Sequence, residues 1–258
     1  GDKPYHSLDY ELRQTFGEKV YRLSLNGGMT CPNRDGTVNT GGCIFCSSGG
    51  SGDFATASSL SVTAQIEQAK SRIRQKTACK KFIAYFQAYT NTYAPVDYLR
   101  SLFTEAIQHP DIAALSIATR CDCLPADVLD LLEELNRIKP VWIELGLQSI
   151  HDTTLDAIHS GFHYTQYLDA VYALSDRNIP VITHLILGLP GESQEMMLAS
   201  VRQVASLPVS GIKLQLLHVL KGTELGSLYE ASPFPLFPME EYCDFIVTCI
   251  ELLPPEIT

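Results

Sequence analysis

The stretch 181-VITHLILGLPGESQEMMLASVRQVASL-207 contains a short apolar run, a turn rich in glycine and then a helical pattern. Its first part, 181–188, is rich in β-branched residues and leucine, which is typical of a buried strand. Ser193 stands immediately before the helix predicted over 194–207, where its side chain can cap the first turn. The stretch is therefore predicted to form one strand–helix unit.

The same succession of strand and helix occurs six times along the chain. We predict strands over residues 21–27, 81–87, 113–120, 141–149, 181–188 and 211–219. We predict helices over residues 62–76, 96–108, 126–138, 164–178, 194–207 and 240–253. Six consecutive units indicate an α/β fold with a parallel sheet, which is either open or curved into an incomplete barrel.

The remaining segments are compatible with a single domain. Residues 1–20 are expected to form an N-terminal cover segment, and residues 21–258 the main domain. The segment 221–239 contains three prolines and is predicted to be a surface loop. Because no apolar run approaches the roughly 20 residues of a membrane helix, we expect a cytoplasmic protein.

Charge and cysteine content narrow the possible functions. The 258 residues carry a formal net charge of -10, which argues weakly against a general nucleic-acid binder, because phosphate binding depends on lysine and arginine. The segment 69–81 is an exception, with six basic residues and no acidic one; it is typical of a solvated helix surface and would also suit a nucleic acid. The eight cysteines favour metal or redox chemistry over disulfides in such a chain.

Three cysteines lie in the polar segment 29-MTCPNRDGTVNTGGCIFCSSGG-50, which follows the first predicted strand. In a parallel α/β fold this position is at the carboxyl ends of the strands, where active sites lie. Cys31, Cys43 and Cys46 are separated by eleven and two residues, and the C-x-x-C pair lets two thiolates reach one metal or cluster. The segment is therefore predicted to be a metal site.

The spacing of the cysteines leaves two kinds of site open. A structural zinc site would need a fourth ligand, for which Cys79 or His6 could serve. Three cysteine ligands on a four-iron cluster would instead leave one iron open for chemistry. Polar residues also stand at the ends of the other predicted strands, which favours a reactive site: Gln87, Arg120, Gln148, Ser149 and His218.

A family resemblance decides between these readings. The segment 31-CPNRDGTVNTGGCIFC-46 resembles the cluster loop of radical S-adenosylmethionine (radical SAM) enzymes, with a longer first gap like that of the elongator catalytic subunit. Three further segments resemble strand motifs of the elongator-like group and of oxygen-independent coproporphyrinogen oxidase: 144-ELGLQS-149, 184-HLILGLPGES-193 and 216-LLHVLKGTELG-226. Two more resemble the YhcC/YtqA-like branch: 85-YFQAYTNTYAP-95 and 119-TRCDCLP-125. Together these segments extend over most of the chain.

The resemblance implies a fold, two cofactors and a reaction. The expected fold is a partial (βα)6 TIM-like barrel, and the expected cofactors are a [4Fe-4S] cluster and SAM, with electrons from a reducing system such as flavodoxin or ferredoxin. The implied reaction cleaves SAM to a 5′-deoxyadenosyl radical. The implied substrate is the wobble uridine of tRNA, from which the carboxymethyl group of 5-carboxymethylaminomethyl-(2-thio)uridine is removed to leave the aminomethyl form.

Two other functions are compatible with parts of the sequence. A radical SAM enzyme could act on a small molecule such as a tetrapyrrole, which the acidic charge favours, whereas segment 69–81 and the branch motifs favour tRNA. A non-catalytic zinc or iron–sulfur scaffold would fit the cysteine segment. That scaffold would leave 144-ELGLQS-149 and 184-HLILGLPGES-193 without a purpose.

The resemblance also assigns roles to individual residues. It implies that Cys31, Cys43 and Cys46 are the cluster ligands. The residues that it places at SAM are Phe45, Gln87, Tyr89, Asn91, Glu144, Gln148, Ser149, His184, Gly188 and His218. The catalytic candidates are Gln87, Arg120 and Cys123; Cys123 is either a hydrogen donor or acceptor that faces the substrate or a small thiol packed in the fold.

The sequence departs from the pattern of its relatives in three places. An arginine that pairs with the carboxylate of SAM often follows the GxQS motif, but 158-IHSGFHY-164 contains none. Either Arg120 or Lys213 then supplies the positive charge, or SAM is held less tightly. Cys121 stands where the branch usually has proline. Relatives usually extend beyond the sixth helix, so we expect a chain ending at Thr258 to lack a C-terminal extension.

Overall fold

Six parallel strands form one sheet in the order in which they occur along the chain. The computed structural model describes residues 3–50, 52, 55–75, 77 and 79–258. The strands are β1 (Tyr21–Leu25), β2 (Phe82–Phe86), β3 (Ile112–Thr119), β4 (Val141–Gln148), β5 (Val181–Leu187) and β6 (Gly211–Leu216). Since β1 and β6 are the two edges and do not pair within the described chain, the sheet is a half-barrel. The predicted partial (βα)6 barrel is confirmed.

Helices connect the strands and cover the outer face of the sheet. The described residues form α1 (Leu8–Phe16), α2 (Val62–Arg74), α3 (Val96–Gln108), α4 (Ala126–Asn136), α5 (Asp152–Ala157), α6 (Tyr164–Ser175), α7 (Gln194–Ala205), α8 (Glu224–Ala231) and α9 (Met239–Glu251). The predicted cap of α7 is present, because Ser193 Oγ accepts a hydrogen bond from Met196 N at 3.3 Å. No helix in the described ranges is long and apolar enough to span a membrane.

The prediction of a surface loop over residues 221–239 is wrong in part, because α8 lies within this segment. Thr223 caps α8, with its Oγ1 accepting a hydrogen bond from Gly226 N at 3.0 Å. Leu225 in the first turn is fully buried, so the helix is held to the core by a single apolar side chain at its start. The prolines that suggested a loop all follow the helix.

The inner face of the half-barrel changes from apolar to charged along the strands. At the amino ends, Ile83, Ala114 and Trp142 form a buried cluster with Leu12 of α1 and with Val20. Alternate residues of a strand face the same side of a sheet, so the next inward side chain on β4 after Trp142 is Glu144. Helix α1 therefore covers the amino ends of the central strands with an apolar side chain, and the charged layer begins one inward residue further along β4.

The basic segment 69–81 does not lie at the carboxyl ends of the strands. It runs from the end of α2 to the start of β2, at the amino end of the sheet, and its residues 76 and 78 fall outside the described ranges. Lys70 is buried and pairs with Glu67 and Asp111 at 2.6 and 2.5 Å. Arg74 also pairs with Asp111, at 3.3 Å. Much of the positive charge of this segment is neutralised locally, on the side opposite the cysteines.

Replacing Leu12 tests the apolar contact between α1 and the amino ends of the strands. Leu12→Ala should lower the free energy of unfolding by about 2–4 kcal/mol, because it leaves a cavity in the cluster under the sheet. Urea denaturation monitored by circular dichroism measures this change. Gln14→Ala is the matched control, since Gln14 is exposed on the same helix and should cost less than about 0.5 kcal/mol. Equal stability of the two variants would contradict this role of α1.

Candidate active site

A cavity of about 460 Å³ lies at the carboxyl ends of the strands. It is formed by the cysteine segment, by the ends of the strands and by the loops that follow them. The predicted site residues that line it are Cys31, Cys43, Cys46, Phe45, Gln87, Tyr89, Arg120, Glu144, Gln148, His184 and His218. Most of the residues proposed from sequence are thus brought to one place by the fold.

The long gap between the first two cysteines folds into a closed loop. Asp35 and Thr40 form an isolated antiparallel bridge, and Gly42 N donates a hydrogen bond to Asn33 O at 2.8 Å. The residues between these pairs are therefore looped out, so that Cys43 returns to the neighbourhood of Cys31. A tight turn, with Cys46 N donating to Cys43 O at 3.0 Å, then places the third cysteine.

Two residues that the sequence did not single out hold this loop in place. Arg34 Nη2 donates to the carbonyl oxygens of Cys46 and Ser47 at 3.0 and 2.6 Å, and its guanidinium lies 5.7 Å from the centre of the Tyr89 ring. Asn33 Nδ2 donates to His159 O at 2.6 Å and to Cys43 Sγ at 3.4 Å. Only these contacts distinguish Arg34 and Asn33 from ordinary polar loop residues.

The three sulfur atoms do not form a compact metal-binding group in this structure. In the described ranges, one group of three or more possible ligands has all its ligand atoms within 4.8 Å of one another, and it is not the cysteine group. Tetrahedral zinc with Zn–S bonds of about 2.3 Å would bring its sulfur ligands to roughly 3.8 Å from each other. At least one pair of the three sulfur atoms is farther apart than that, and three thiolates are a ligand set that an iron–sulfur cluster takes.

The surroundings of Cys43 also suit a thiolate ligand. Burial raises the pKa of Cys43 to about 11, while the positive charge of Arg120 and the hydrogen bond from Asn33 act in the opposite direction. Cys31 and Cys46 are close enough to interact electrostatically with Cys43, and all three are free thiols. A metal cluster would replace the protons that burial otherwise retains.

Arg120 lines the cavity but is already paired. Its Nε and Nη2 donate to the two carboxylate oxygens of Asp122 at 2.9 and 2.7 Å, and its Nη1 donates to Ser160 O at 2.7 Å. Burial lowers the pKa of Arg120, but Asp122 and the nearby Cys31 and Cys43 raise it above its ordinary value. The guanidinium is thus a fixed positive charge beside the cysteine loop, with its donors directed at protein groups.

Gln148 has the unusual backbone and the unpaired oxygen expected of a ligand contact. Its φ is +74°, and the pairing of β4 with β5 is irregular between Gly146 and Gln148. Its Oε1 is buried and has no hydrogen-bond partner among the described residues. A Cβ at Gly146 would lie 2.8 Å from Gln148 Nε2, so glycine leaves the room for the amide to fold back. This buried acceptor fits a hydroxyl donor such as those of the ribose of SAM.

Glu144 forms the floor of the cavity through a buried network. Its Oε1 accepts from Arg22 Nη1 at 2.9 Å and from Ser116 Oγ at 2.6 Å, and its Oε2 lies 2.7 Å from His184 Nε2. Burial favours a raised pKa for Glu144, but His184 and Arg22 outweigh it and lower the pKa to about 2. For His184 the effect of burial is the opposite, because it lowers the pKa of the imidazole. A neutral His184 therefore donates its Nε2 proton to the Glu144 carboxylate.

Four residues predicted to contact SAM or substrate lie outside the lining of the cavity. Asn91 Nδ2 donates to Phe86 O and Ala118 O at 3.0 and 2.9 Å, which links the ends of β2 and β3. Ser149 Oγ donates to Glu192 and accepts from His151 N. The remaining two are Gly188 and Cys123. The structure therefore gives Asn91 and Ser149 positions that support the loops.

Gly188 and Cys123 also have packing roles in the fold. The φ of Gly188 is +90°, and a Cβ there would lie 3.2 Å from the ring of Phe237, so the turn after β5 is packed against a core side chain. Cys123 is buried in a short 3-10 turn over Cys121–Cys123, with its Sγ 3.6 Å from Asp122 Oδ1. Burial raises the pKa of Cys123, so it remains a thiol at neutral pH.

Two family profiles together match most of the chain. The profile of the Radical SAM superfamily matches residues 31–204, and that of the radical SAM C-terminal domain matches residues 209–258. The Bacillus subtilis protein YtqA is 44% identical over 99% of this chain and 80% of its own length. The Escherichia coli protein YhcC is 39% identical over 96% of this chain and 79% of its own length. A tRNA uridine(34) acetyltransferase of Methanocaldococcus infernus is 28% identical over 55% of this chain and 26% of its own length.

Solved structures share the half-barrel. The archaeal Elp3 of Methanocaldococcus infernus superposes with a TM-score of 0.68 at 18% identity, over 92% of this chain and 55% of the Elp3 chain. Coproporphyrinogen III oxidase of Escherichia coli, a radical SAM enzyme, superposes with a TM-score of 0.58 at 14% identity, over 95% of this chain and 55% of the oxidase. This chain spans about half the length of either protein, and the likeness is one of fold.

The half-barrel gathers three free thiols at the carboxyl ends of its strands, and the radical SAM profile includes these three cysteines. The chain belongs to the radical SAM superfamily, whose members use a [4Fe-4S] cluster and SAM. The predicted family, enzyme class and cofactors are confirmed, and a non-catalytic zinc scaffold is excluded as the function.

Acid titration tests the network at the floor of the cavity. Because the pKa of Glu144 is lowered from 4.5 to about 2, its ionised form stabilises the folded protein above pH 4.5, and this stabilisation is lost as the pH falls toward 2. Glu144→Gln should cost about 3 kcal/mol at pH 7, because it leaves Arg22 without its charged partner. The difference from the wild type, measured by urea denaturation of the cluster-free proteins, should shrink steadily below pH 4.5. A difference that is independent of pH would contradict the assignment.

Substitution of Gly146 tests the position of the Gln148 amide. Gly146→Ala should weaken SAM binding by about 10-fold, since the new Cβ displaces Gln148 Nε2. Equilibrium dialysis of the cluster-loaded protein measures the affinity. In a Gln148→Ala background the same substitution should have little further effect. If the two substitutions acted additively, the displaced group would not be Gln148.

Proposed function

We propose that this radical SAM enzyme acts on the wobble uridine of tRNA and removes the carboxymethyl group of 5-carboxymethylaminomethyl-(2-thio)uridine to leave the aminomethyl form. The observation that carries the proposal is the similarity of more than half of this chain to tRNA uridine(34) acetyltransferases. The archaeal Elp3 shares the half-barrel, which is a likeness of fold, so the sequence similarity to the acetyltransferases carries the proposal. Those relatives are named for chemistry at the same nucleotide position.

The residues around the cavity are suited to distinct tasks. When bound, the cluster supplies an electron and SAM supplies a 5′-deoxyadenosyl radical. Cys31, Cys43 and Cys46 would hold the cluster at the carboxyl ends of the strands, and Gln148 Oε1 would accept a hydrogen bond from a ribose hydroxyl. Phe45, in the lining between two of the cysteines, would cover the cluster on the side of the cavity. Flavodoxin or ferredoxin remains the expected electron donor.

The contacts with tRNA would form around the mouth of the cavity. The basic segment 69–81 gives little support to tRNA binding at the active site, because it lies at the opposite end of the sheet and is partly neutralised. His218 and Lys221, both exposed after β6, are better placed for contact with phosphate groups beside the cavity. A tetrapyrrole substrate has less support, because the likeness to coproporphyrinogen III oxidase is one of fold alone.

The reaction is tested with reconstituted protein and tRNA. Under anaerobic conditions with dithionite, the protein should release 5′-deoxyadenosine and convert the carboxymethylaminomethyl nucleoside to the aminomethyl form, measured by nucleoside mass spectrometry. Cys43→Ala should abolish both products, because a cluster ligand is lost. Cys243→Ala is the control, since Cys243 is exposed on α9 and should retain activity. Release of 5′-deoxyadenosine with an unchanged nucleoside profile, in vitro and in a deletion strain, would rule out this substrate.

A further inference from the structure

Lys213 occupies the boundary between the active-site cavity and a larger opening beneath it. It lies on β6, in register with His184 of β5, so it projects from the same face of the sheet. Lys213 and Glu144 both line the cavity of about 460 Å³ at the carboxyl ends. Both also line a cavity of about 1440 Å³ between the sheet, the N-terminal segment and α9. Lys213 is therefore part of the floor of the active site.

Every other lysine or arginine at the active-site cavity is already paired. Arg120 is bound by Asp122 and Ser160 O, and Arg34 donates to two carbonyl groups of the cysteine segment. By contrast, no hydrogen bond or ion pair joins Lys213 Nζ to any residue in the described ranges. Its interactions with Glu144 and Arg22 are electrostatic and act at longer range.

Glu144 does not neutralise Lys213, because its oxygens are taken by other donors. Arg22 and Ser116 bind Oε1, and His184 binds Oε2. The charges of Arg22 and Glu144 cancel, which leaves the floor of the cavity with one excess positive charge when Lys213 is protonated. Burial lowers the pKa of Lys213, and the charge of Glu144 opposes that change. An anionic ligand group at this position would restore the charge balance.

We propose that Lys213 binds a carboxylate of a ligand at the floor of the active-site cavity. Two ligands would bring a carboxylate into the cavity, the cofactor and the substrate, and the choice of the substrate rests on the proposed function. One belongs to SAM, for which the chain lacks the arginine expected in 158–164. The other is the carboxymethyl group of the substrate, which the product no longer carries. In the first case Lys213 positions the cofactor, and in the second it distinguishes substrate from product.

Binding measurements on the cluster-loaded protein separate the two sources. The first arm compares SAM with decarboxylated SAM in anaerobic equilibrium dialysis. The second compares tRNA carrying the carboxymethylaminomethyl nucleoside with the same tRNA carrying the aminomethyl form, without reductant. Lys213→Met removes the charge and keeps the length, whereas Lys213→Arg retains the charge. Lys19→Met is the matched control, since Lys19 is exposed at the amino end of the sheet.

Lys213→Met should weaken one of the two carboxylate-bearing ligands by on the order of 10- to 100-fold, and its carboxylate-free counterpart by less than about 3-fold. Lys213→Arg should recover most of the loss, and Lys19→Met should bind as the wild type does. Iron content and thermal denaturation establish that each variant is folded and loaded. A loss confined to SAM assigns Lys213 to the cofactor, and a loss confined to the modified tRNA assigns it to the substrate.

Two results would overturn the role of Lys213. One is wild-type affinity of Lys213→Met for both carboxylate-bearing ligands, and the other is an equal loss for ligands with and without the carboxylate. If the wild type itself binds neither tRNA, the proposed substrate fails, and the SAM arm alone decides on Lys213. An unchanged affinity for SAM would then be sufficient to reject the inference.

Discussion

The carboxylate of Glu144 joins four strands across the interior of the half-barrel. From its position on β4 it binds Arg22 on β1, Ser116 on β3 and His184 on β5. The guanidinium of Arg22 also lies 4.9 Å from the ring centre of Tyr85, which brings β2 into the same network. A half-barrel lacks the hydrogen bonds that would close a full barrel, so polar contacts across its interior help to fix its curvature. The same contacts set the floor of the cavity and its local charge.

The cysteine segment shows how a loop can be positioned by few interactions. Ile44, within the segment, is bound on both sides of its backbone. Its N–H donates to Ile158 O at 3.1 Å, and its carbonyl oxygen accepts from Leu225 N at 2.8 Å. Tyr89 reaches it from the loop after β2, with its hydroxyl donating to Ser48 O at 2.6 Å. Neighbouring loops therefore hold the cysteine segment in place at the carboxyl ends of the strands.

The charge at the active-site cavity differs in sign from the net charge of the chain. The chain has a formal net charge of -10, yet the cavity contains Arg34, Arg120 and Lys213. A cluster bound by three thiolates is anionic, and SAM has one anionic group, its carboxylate, so a local positive charge suits the cluster and that carboxylate. The most basic segment of the sequence, by contrast, is at the far end of the sheet. Net charge alone was therefore a weak guide to the ligand.

The sequence by itself determined the six strand–helix units and the cysteine segment, because hydrophobic period and motif spacing are local properties. Most of the site residues that it named line the cavity. The tertiary structure alone decided which polar residues are free to bind a ligand. Among the described residues, Gln148 Oε1 and the side chain of Lys213 have no hydrogen-bond partner, whereas Ser149 and Arg120 are bound by other protein groups. The reason is physical: hydrogen bonds between residues distant in sequence depend on strand register and loop packing, which no local pattern encodes.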